Sequence, residues 1–198
     1  AKGYDQYNIY TSDSYDGPNV KVTYDQWNKL WAPKNYRYMP VYKADKEDVV
    51  KAILGADYDE KTSYQNALNY ELQQLKTNNR SYHWMNAGES YAKLEQWEKA
   101  RECYEKAKSI GLPKRELWYV SWPFKVYNQL GEYQKVIDLV ETVRATGNKY
   151  PSELLYEKAY AQWKMGNKEV ALKTLETSIY YEPNYTPTKE LKKLIEGS

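Results

Sequence analysis

Cysteine and histidine do much of the nucleophilic and metal chemistry of proteins near neutral pH. This chain of 198 residues has one of each, Cys103 and His83. A thiol nucleophile needs a base within hydrogen-bond reach. Spacing puts the two on segments that read as paired antiparallel helices, but a small apolar thiol packed inside a helix is the ordinary reading of Cys103. A single cysteine excludes an internal disulfide and a multi-cysteine metal site. Asp13, Asp16 and Gly17 share a loop, yet a calcium loop needs more carboxylates and a closing glutamate, so a polar turn is expected there. No metal and no cofactor is expected. Asn79-Arg80-Ser81 and Asn184-Tyr185-Thr186 match the glycosylation pattern, which chance explains.

The chemistry that is abundant is that of recognition. There are 23 Tyr and 7 Trp. Leu, Ile, Val and Phe number only 16, 6, 11 and 1, a level that would suggest disorder if the aromatic rings, at about 150–250 Å² each, did not supply the missing apolar area. Lys and Arg total 29 against 27 Asp and Glu, a net charge of +2, so bulk charge does not drive nucleic-acid binding. No apolar run approaches the roughly 20 residues of a membrane span. The opening AKGYDQYN is not a signal peptide and reads as a mature or truncated start.

The elements that position these residues change character near residue 44. Residues 1–43 read as a β-rich segment, with strands at 6–11 and 20–23 around a turn cluster at 12–19. Thr23 with Gln26 forms a capping box for a short helix carrying Trp27, Leu30 and Trp31 on one face and ended by Pro33. Residues 36–42 alternate as a further strand, confined by Pro40 to an edge or bulge. Forty-three residues are thin for an independent fold. Residues 44–80 read as connecting helices. One presents Val49, Val50, Ile53 and Leu54 and closes at Gly55. The other spans 61–76 with Ala67, Leu68, Leu72 and Leu75 in a stripe.

Beyond residue 80 the chain repeats. Leu94-Glu95-Gln96-Trp97, Leu130-Gly131-Glu132-Tyr133 and Met165-Gly166-Asn167-Lys168 recur at intervals of 36 and 35 residues. Ala100, Val136 and Ala171 follow at matching places, then Tyr104, Val140 and Leu175, then Ala107, Val143 and Ser178. With Trp84, Ala87, Gly88 and Tyr91, the first copy resembles the tetratricopeptide repeat, a helix–turn–helix unit of 34 residues. The expected fold is mainly α: three such repeats over 81–185, a capping helix over 186–198 with Thr186 as N-cap, and the helices of 44–80 at the other end. Pro123 predicts a kink inside the first helix of the second copy, where Phe124 replaces Gly88. Lys158 and Gln162 stand at usually apolar positions of the third copy, whose first helix should pack through Leu155, Ala159 and Tyr160. The charge run from Glu98 to Lys106 reads as a solvated helix face with pairs worth about a few tenths of a kcal/mol each.

In that family, ligands lie along the face made by the first helix of each unit. The resemblance projects Tyr82, Met85 and Glu89 onto it from the first copy, Trp118, Ser121, Lys125 and Asn128 from the second, and Tyr156, Tyr160, Trp163 and Lys164 from the third. Several are of the types enriched in interface hot spots, though the same rings would also serve to pack repeats together.

Gly3-Tyr4-Asp5, Asp13 to Asn19, Tyr24, Trp27, Leu30-Trp31 and Tyr36 to Tyr42 form an ordered series. It resembles the last third of a papain-like cysteine peptidase domain of the bacteriocin-processing, double-glycine type, some bacterial members of which continue into helical repeats. The resemblance implies that Asp13 is the orienting carboxylate, and that the family's Cys and His would lie upstream of Ala1. The chain by itself is then a non-catalytic interaction or assembly module, binding a protein or peptide partner or another copy of itself. The alternatives are a self-assembling filament subunit and the C-terminal part of an active peptidase. The resemblance also implies an extracellular or cell-surface bacterial location.

Overall fold

Asp5 organises the first turn. Its carboxylate accepts hydrogen bonds from the Tyr10 hydroxyl and from the backbone N–H groups of Tyr7 and Asn8, each at 2.7 Å. The Tyr10 bond leads these in holding the carboxyl well below the usual carboxylate range. Around that turn, strands β1 (Gly3–Tyr4), β2 (Asn8–Asp13) and β3 (Gly17–Thr23) pair antiparallel in chain order. Ile9 faces Val22 and Thr11 faces Val20, and the register then shifts between Thr11 and Ser12. Pairing continues to Asp13 opposite Gly17, so the ladder runs further into the turn cluster than the alternation predicted.

The expected capping box is present. Thr23 Oγ1 accepts from Gln26 N at 3.2 Å and Gln26 Oε1 accepts from Thr23 N at 3.1 Å. Together they start helix α1 (Tyr24–Trp31). Trp27, Trp31 and Tyr36 meet edge to face, with centroids 6.0 and 5.7 Å apart. Residues 36–42 form no strand. Pro40 lacks a donor for a ladder, and the Arg37 carbonyl is taken by the Trp31 indole N–H at 2.8 Å. Helices α2 (Glu47–Leu54) and α3 (Glu60–Gln74) follow. Asp59 caps α3, accepting from Thr62 N at 2.8 Å.

The computed structural model describes residues 2–147 and 151–198 and divides within α3, a second unit starting at Leu68. Among the described residues before that point only Asn8 and Ala32 are buried, as expected of so thin a segment. The second unit holds three helix pairs: α4 (Ser81–Lys93) with α5 (Trp97–Ile110), α6 (Trp122–Gln129) with α7 (Tyr133–Ala145), and α8 (Ser152–Lys164) with α9 (Lys168–Tyr181). Helix α10 (Thr186–Glu196) follows, starting one residue before the expected position, with Tyr185 as its cap. The same backbone bond closes every pair at 2.9 Å: Gln96 N to Tyr91 O, Glu132 N to Tyr127 O and Asn167 N to Gln162 O. It requires a left-handed residue in the turn, which Gly131 and Gly166 supply at no steric cost and Glu95 adopts at φ 58°.

How closely the two helices of a pair approach is set by one position on each. Gly88 lies against the Tyr104 ring; a Cβ there would stand 2.5 Å from Tyr104 Cε1. The matching pairs are Phe124 with Val140 and Ala159 with Leu175, all fully buried. The second copy thus carries its bulky residue on the first helix and the smaller Val140 at the position of Tyr104.

Pro123 does not kink a helix. Residues Lys114–Trp118 form a 3₁₀ turn, and α6 starts at Trp122 with Pro123 in its first turn, where a missing N–H leaves no bond unmade. Helix α6 is therefore 8 residues long against 13 for α4 and α8. In the third copy Leu155 and Ala159 are buried and Tyr160 half-buried, as expected. Gln162 accepts from the Thr174 hydroxyl at 2.8 Å, and Lys158 reaches Glu141 on α7 at 2.6 Å. Arg101 and Glu105 belong to no merely solvated face. Arg101 bonds Glu132 at 2.9 Å, and Glu105 takes Lys135 and the Tyr127 hydroxyl, both at 2.9 Å, each contact crossing to the second copy.

At one end Leu68 of α3 packs with Ala87 and Cys103; at the other, Leu191 and Ile195 of α10 cover Ala171 and Leu175. Among the described residues no helix is long and apolar enough to cross a membrane. Gly88→Ala should destabilise the protein by about 1–3 kcal/mol in urea denaturation, and adding Tyr104→Leu, which copies the third repeat, should recover part of the loss. An unchanged midpoint for Gly88→Ala alone would refute the close-approach argument.

Candidate partner-binding face

Cys103 and His83 are both buried. The His83 Nδ1 meets Glu71 Oε2 at 2.5 Å and its Nε2 meets Asn78 Nδ2 at 3.1 Å. Glu71 also accepts from Asn86 Nδ2 at 2.8 Å, and burial pushes its carboxyl upward. The Cys103 thiol is pushed up to about 12, chiefly by burial, and so stays protonated and inert. Asp13 is exposed at the end of β2, accepting from Tyr15 N at 2.7 Å and Asp16 N at 3.0 Å. Those backbone bonds hold its carboxyl below the usual range. Among the described residues no three His, Cys, Asp or Glu side chains gather as a metal site.

The first helices α4, α6 and α8 pack on one another in that order, and the projected binding residues separate by burial. Met85, Glu89 and Asn128 are buried. Asn128 ties α6 to α8, donating through Nδ2 to the Glu157 carbonyl at 3.0 Å and to Glu157 Oε2 at 2.8 Å. Trp118 lies in the 3₁₀ turn before α6. Its Nε1 donates to Thr146 Oγ1 at 3.0 Å, Arg115 sits over its ring at 5.2 Å, and its edge lies 3.2 Å from where a Gly147 Cβ would stand. Ser121 is half-buried at the start of α6, and Tyr82 is half-buried against the His83 ring at 4.1 Å.

The remaining residues form two aromatic–ammonium clusters. Lys125 lies 4.9 Å and Lys93 5.2 Å from the Trp122 ring centroid. On α8, Tyr160 and Trp163 meet edge to face at 6.1 Å, with the exposed Lys164 4.6 Å from Trp163 and 5.4 Å from Tyr160. Tyr156 is half-buried on the same helix. Trp122 escaped the sequence projection because the 3₁₀ turn displaces α6 along the chain, so that Trp122 starts the helix; Lys93, at the end of α4, lies beyond the projected Glu89. The Glu71 role had a signal: it stands three residues after Leu68, and the buried face of α3 runs through Leu68 and Glu71 rather than through the exposed Leu72.

Family models described as tetratricopeptide repeat match residues 84–110 and 152–185. A MamA crystal structure superposes with a TM-score of 0.60 at 19% identity, over 79% of this chain and 86% of that one. A second, MamA MSR-1 C2, gives 0.57 at 13% identity, over 76% and 85%. The fold is a tetratricopeptide-repeat fold. The two matches bracket the copy in which Phe124 occupies the small position and the first helix is shortened, the features that take it furthest from the repeat pattern. No curated protein matches the sequence.

Glu157 gives the junction of the second and third repeats a pH dependence. Burial raises its carboxyl from the ordinary 4.5 to about 7, against the pull of Asn128 and Lys125. Between those values the unfolded chain ionises while the folded chain keeps its proton. Stability contributed by this group is therefore complete below pH 4.5 and lost as pH rises through 7. Glu157→Gln should flatten that decline and stabilise the protein at pH 8, by at most on the order of 3 kcal/mol, as read from urea midpoints across pH 4.5–8. An unaltered pH profile in the variant would contradict this assignment.

Proposed function

We propose that this chain is a non-catalytic protein-interaction and assembly module. Its partner is an acidic protein segment received on the face of α4, α6 and α8. The observation that carries the reading is the pair of aromatic–ammonium clusters, Lys93–Trp122–Lys125 and Tyr160–Trp163–Lys164, on successive first helices. An indole or phenol ring gives rigid contact area at low entropic cost, and an ammonium beside it selects carboxylates. The inert thiol and the doubly engaged imidazole support a role without catalysis. Trp118 is better read as packing, because its ring and its N–H are both used within the unit. A displayed library of short peptides should yield acidic segments for the wild type. The Lys125→Glu/Lys164→Glu variant, equally helical by circular dichroism, should lose them. Identical selection by both proteins would sink the reading. Light scattering of the pure protein separates self-assembly, including filaments, from a foreign partner.

The origin of residues 1–43 in a cysteine peptidase, and an exported bacterial location, belong to the same proposal. They are supported by the order of motifs and by an ionised Asp13 at the end of β2, where an orienting carboxylate is wanted. On this reading, supplying a preceding region that bears the family's Cys and His yields a thiol-dependent peptidase activity. Asp13→Asn then lowers kcat by orders of magnitude, and an Asn variant of full activity refutes the assignment.

A further inference from the structure

A ladder of ion pairs joins α5 to α7. Arg101 bonds Glu132 at 2.9 Å, and one turn further on Glu105 bonds Lys135 at 2.9 Å. These rungs link residues 31 and then 30 positions apart. Continuing the series puts Lys108 of α5 opposite Asp138 of α7. That rung is open. Among the described residues neither Lys108 nor Asp138 enters an ion pair, and the Asp138 carboxylate accepts from Gln134 Nε2 of its own helix at 2.8 Å. Both side chains line a cleft of about 370 Å³ whose apolar wall includes Met85, Leu117, Pro123 and Leu139. The other polar groups at the cleft are engaged. Lys135 is held by Glu105 and Glu132, and the Thr142 hydroxyl donates to the Asp138 carbonyl at 2.9 Å. Two opposite charges therefore face the same apolar space without neutralising each other.

We propose that this cleft binds an α-amino acid with an apolar side chain. Its carboxylate pairs with Lys108, its ammonium pairs with Asp138, and its side chain covers Met85, Leu117, Pro123 and Leu139. A zwitterion closes the open rung with charge-assisted hydrogen bonds at both ends. A plain carboxylate would face Asp138, and a plain amine would face Lys108, so each is selected against. The volume lies at the small end of ligand sites. An apolar cavity of about 150 Å³ accepts one benzene, which leaves room here for the head group of an aromatic amino acid. Lys108 and Asp138 lie on second helices, so the site does not depend on the partner face proposed above.

Calorimetric titration of the full chain tests this with L-phenylalanine, with 3-phenylpropanoate, which lacks the ammonium, and with 2-phenylethylamine, which lacks the carboxylate. The wild type should bind phenylalanine about tenfold more tightly than either analogue, the ratio of one net hydrogen bond to a charged group at a wet rim. Lys108 and Asp138 are both exposed, so replacing them leaves the packing intact. Lys108→Met should remove the preference over 2-phenylethylamine, and Asp138→Asn the preference over 3-phenylpropanoate. Leu139→Trp, which fills the cleft, should abolish binding of all three. No binding of phenylalanine at millimolar concentration, equal affinity for the three compounds, or preferences that survive both charge-removing variants would each overturn the proposal.

Discussion

The distance at which paired helices can pass is the constraint on which the second unit depends. Each pair is closed by a turn of the same geometry, and in the first copy the crossing leaves no room for a Cβ at Gly88 beside the Tyr104 ring. The corresponding positions of the other copies, Phe124 and Val140, Ala159 and Leu175, are also fully buried. Interiors are packed to crystal-like density, so neither member can change alone without a cavity or a clash.

Apolar contacts alone would let neighbouring helices slide. Buried polar pairs oppose this, because a shift in register leaves a desolvated group unsatisfied. One such pair stands at each of several junctions: Glu71 with His83 between α3 and α4, Asn128 with Glu157 between α6 and α8, Gln162 with Thr174 between α8 and α9, and Ser178 with Thr188 between α9 and α10. Ion pairs of Arg101 and Lys135 with Glu132 and Glu105 add exposed ties between the first and second copies. Partly exposed pairs of this kind contribute little each, so the buried pairs carry the specificity.

The second copy is where regularity is given up. Pro123 and Phe124 together exclude a long first helix approaching closely at that point, and the chain takes a 3₁₀ turn instead. That displacement brings Trp122 between Lys93 and Lys125, turns Trp118 inward onto Thr146, and leaves the space lined by Tyr104 and Leu139. The features that distinguish this chain from a plain repeat array cluster around one irregular segment.

Local signals in the sequence determined the elements. Apolar spacing, the Thr23–Gln26 box, Gly55 and the recurring turn at 95, 131 and 166 depend on residues within a few positions of one another, so the repeat fold, the helices of each copy and the β-hairpin were legible. Residues 36–42 and the start of α6 differ from the sequence reading because a proline's effect depends on whether its missing N–H is needed, and that turns on where the surrounding element begins or ends. The tertiary structure alone decided which projected face residues are buried: Met85, Glu89 and Asn128 lose solvent to other helices, Asn128 to Glu157 twenty-nine positions away. It alone made Glu71 and His83 partners and raised the Glu157 carboxyl. Burial and pairing are properties of distance in space, and the spacing of residues along a helix fixes direction but not what waits on the other side.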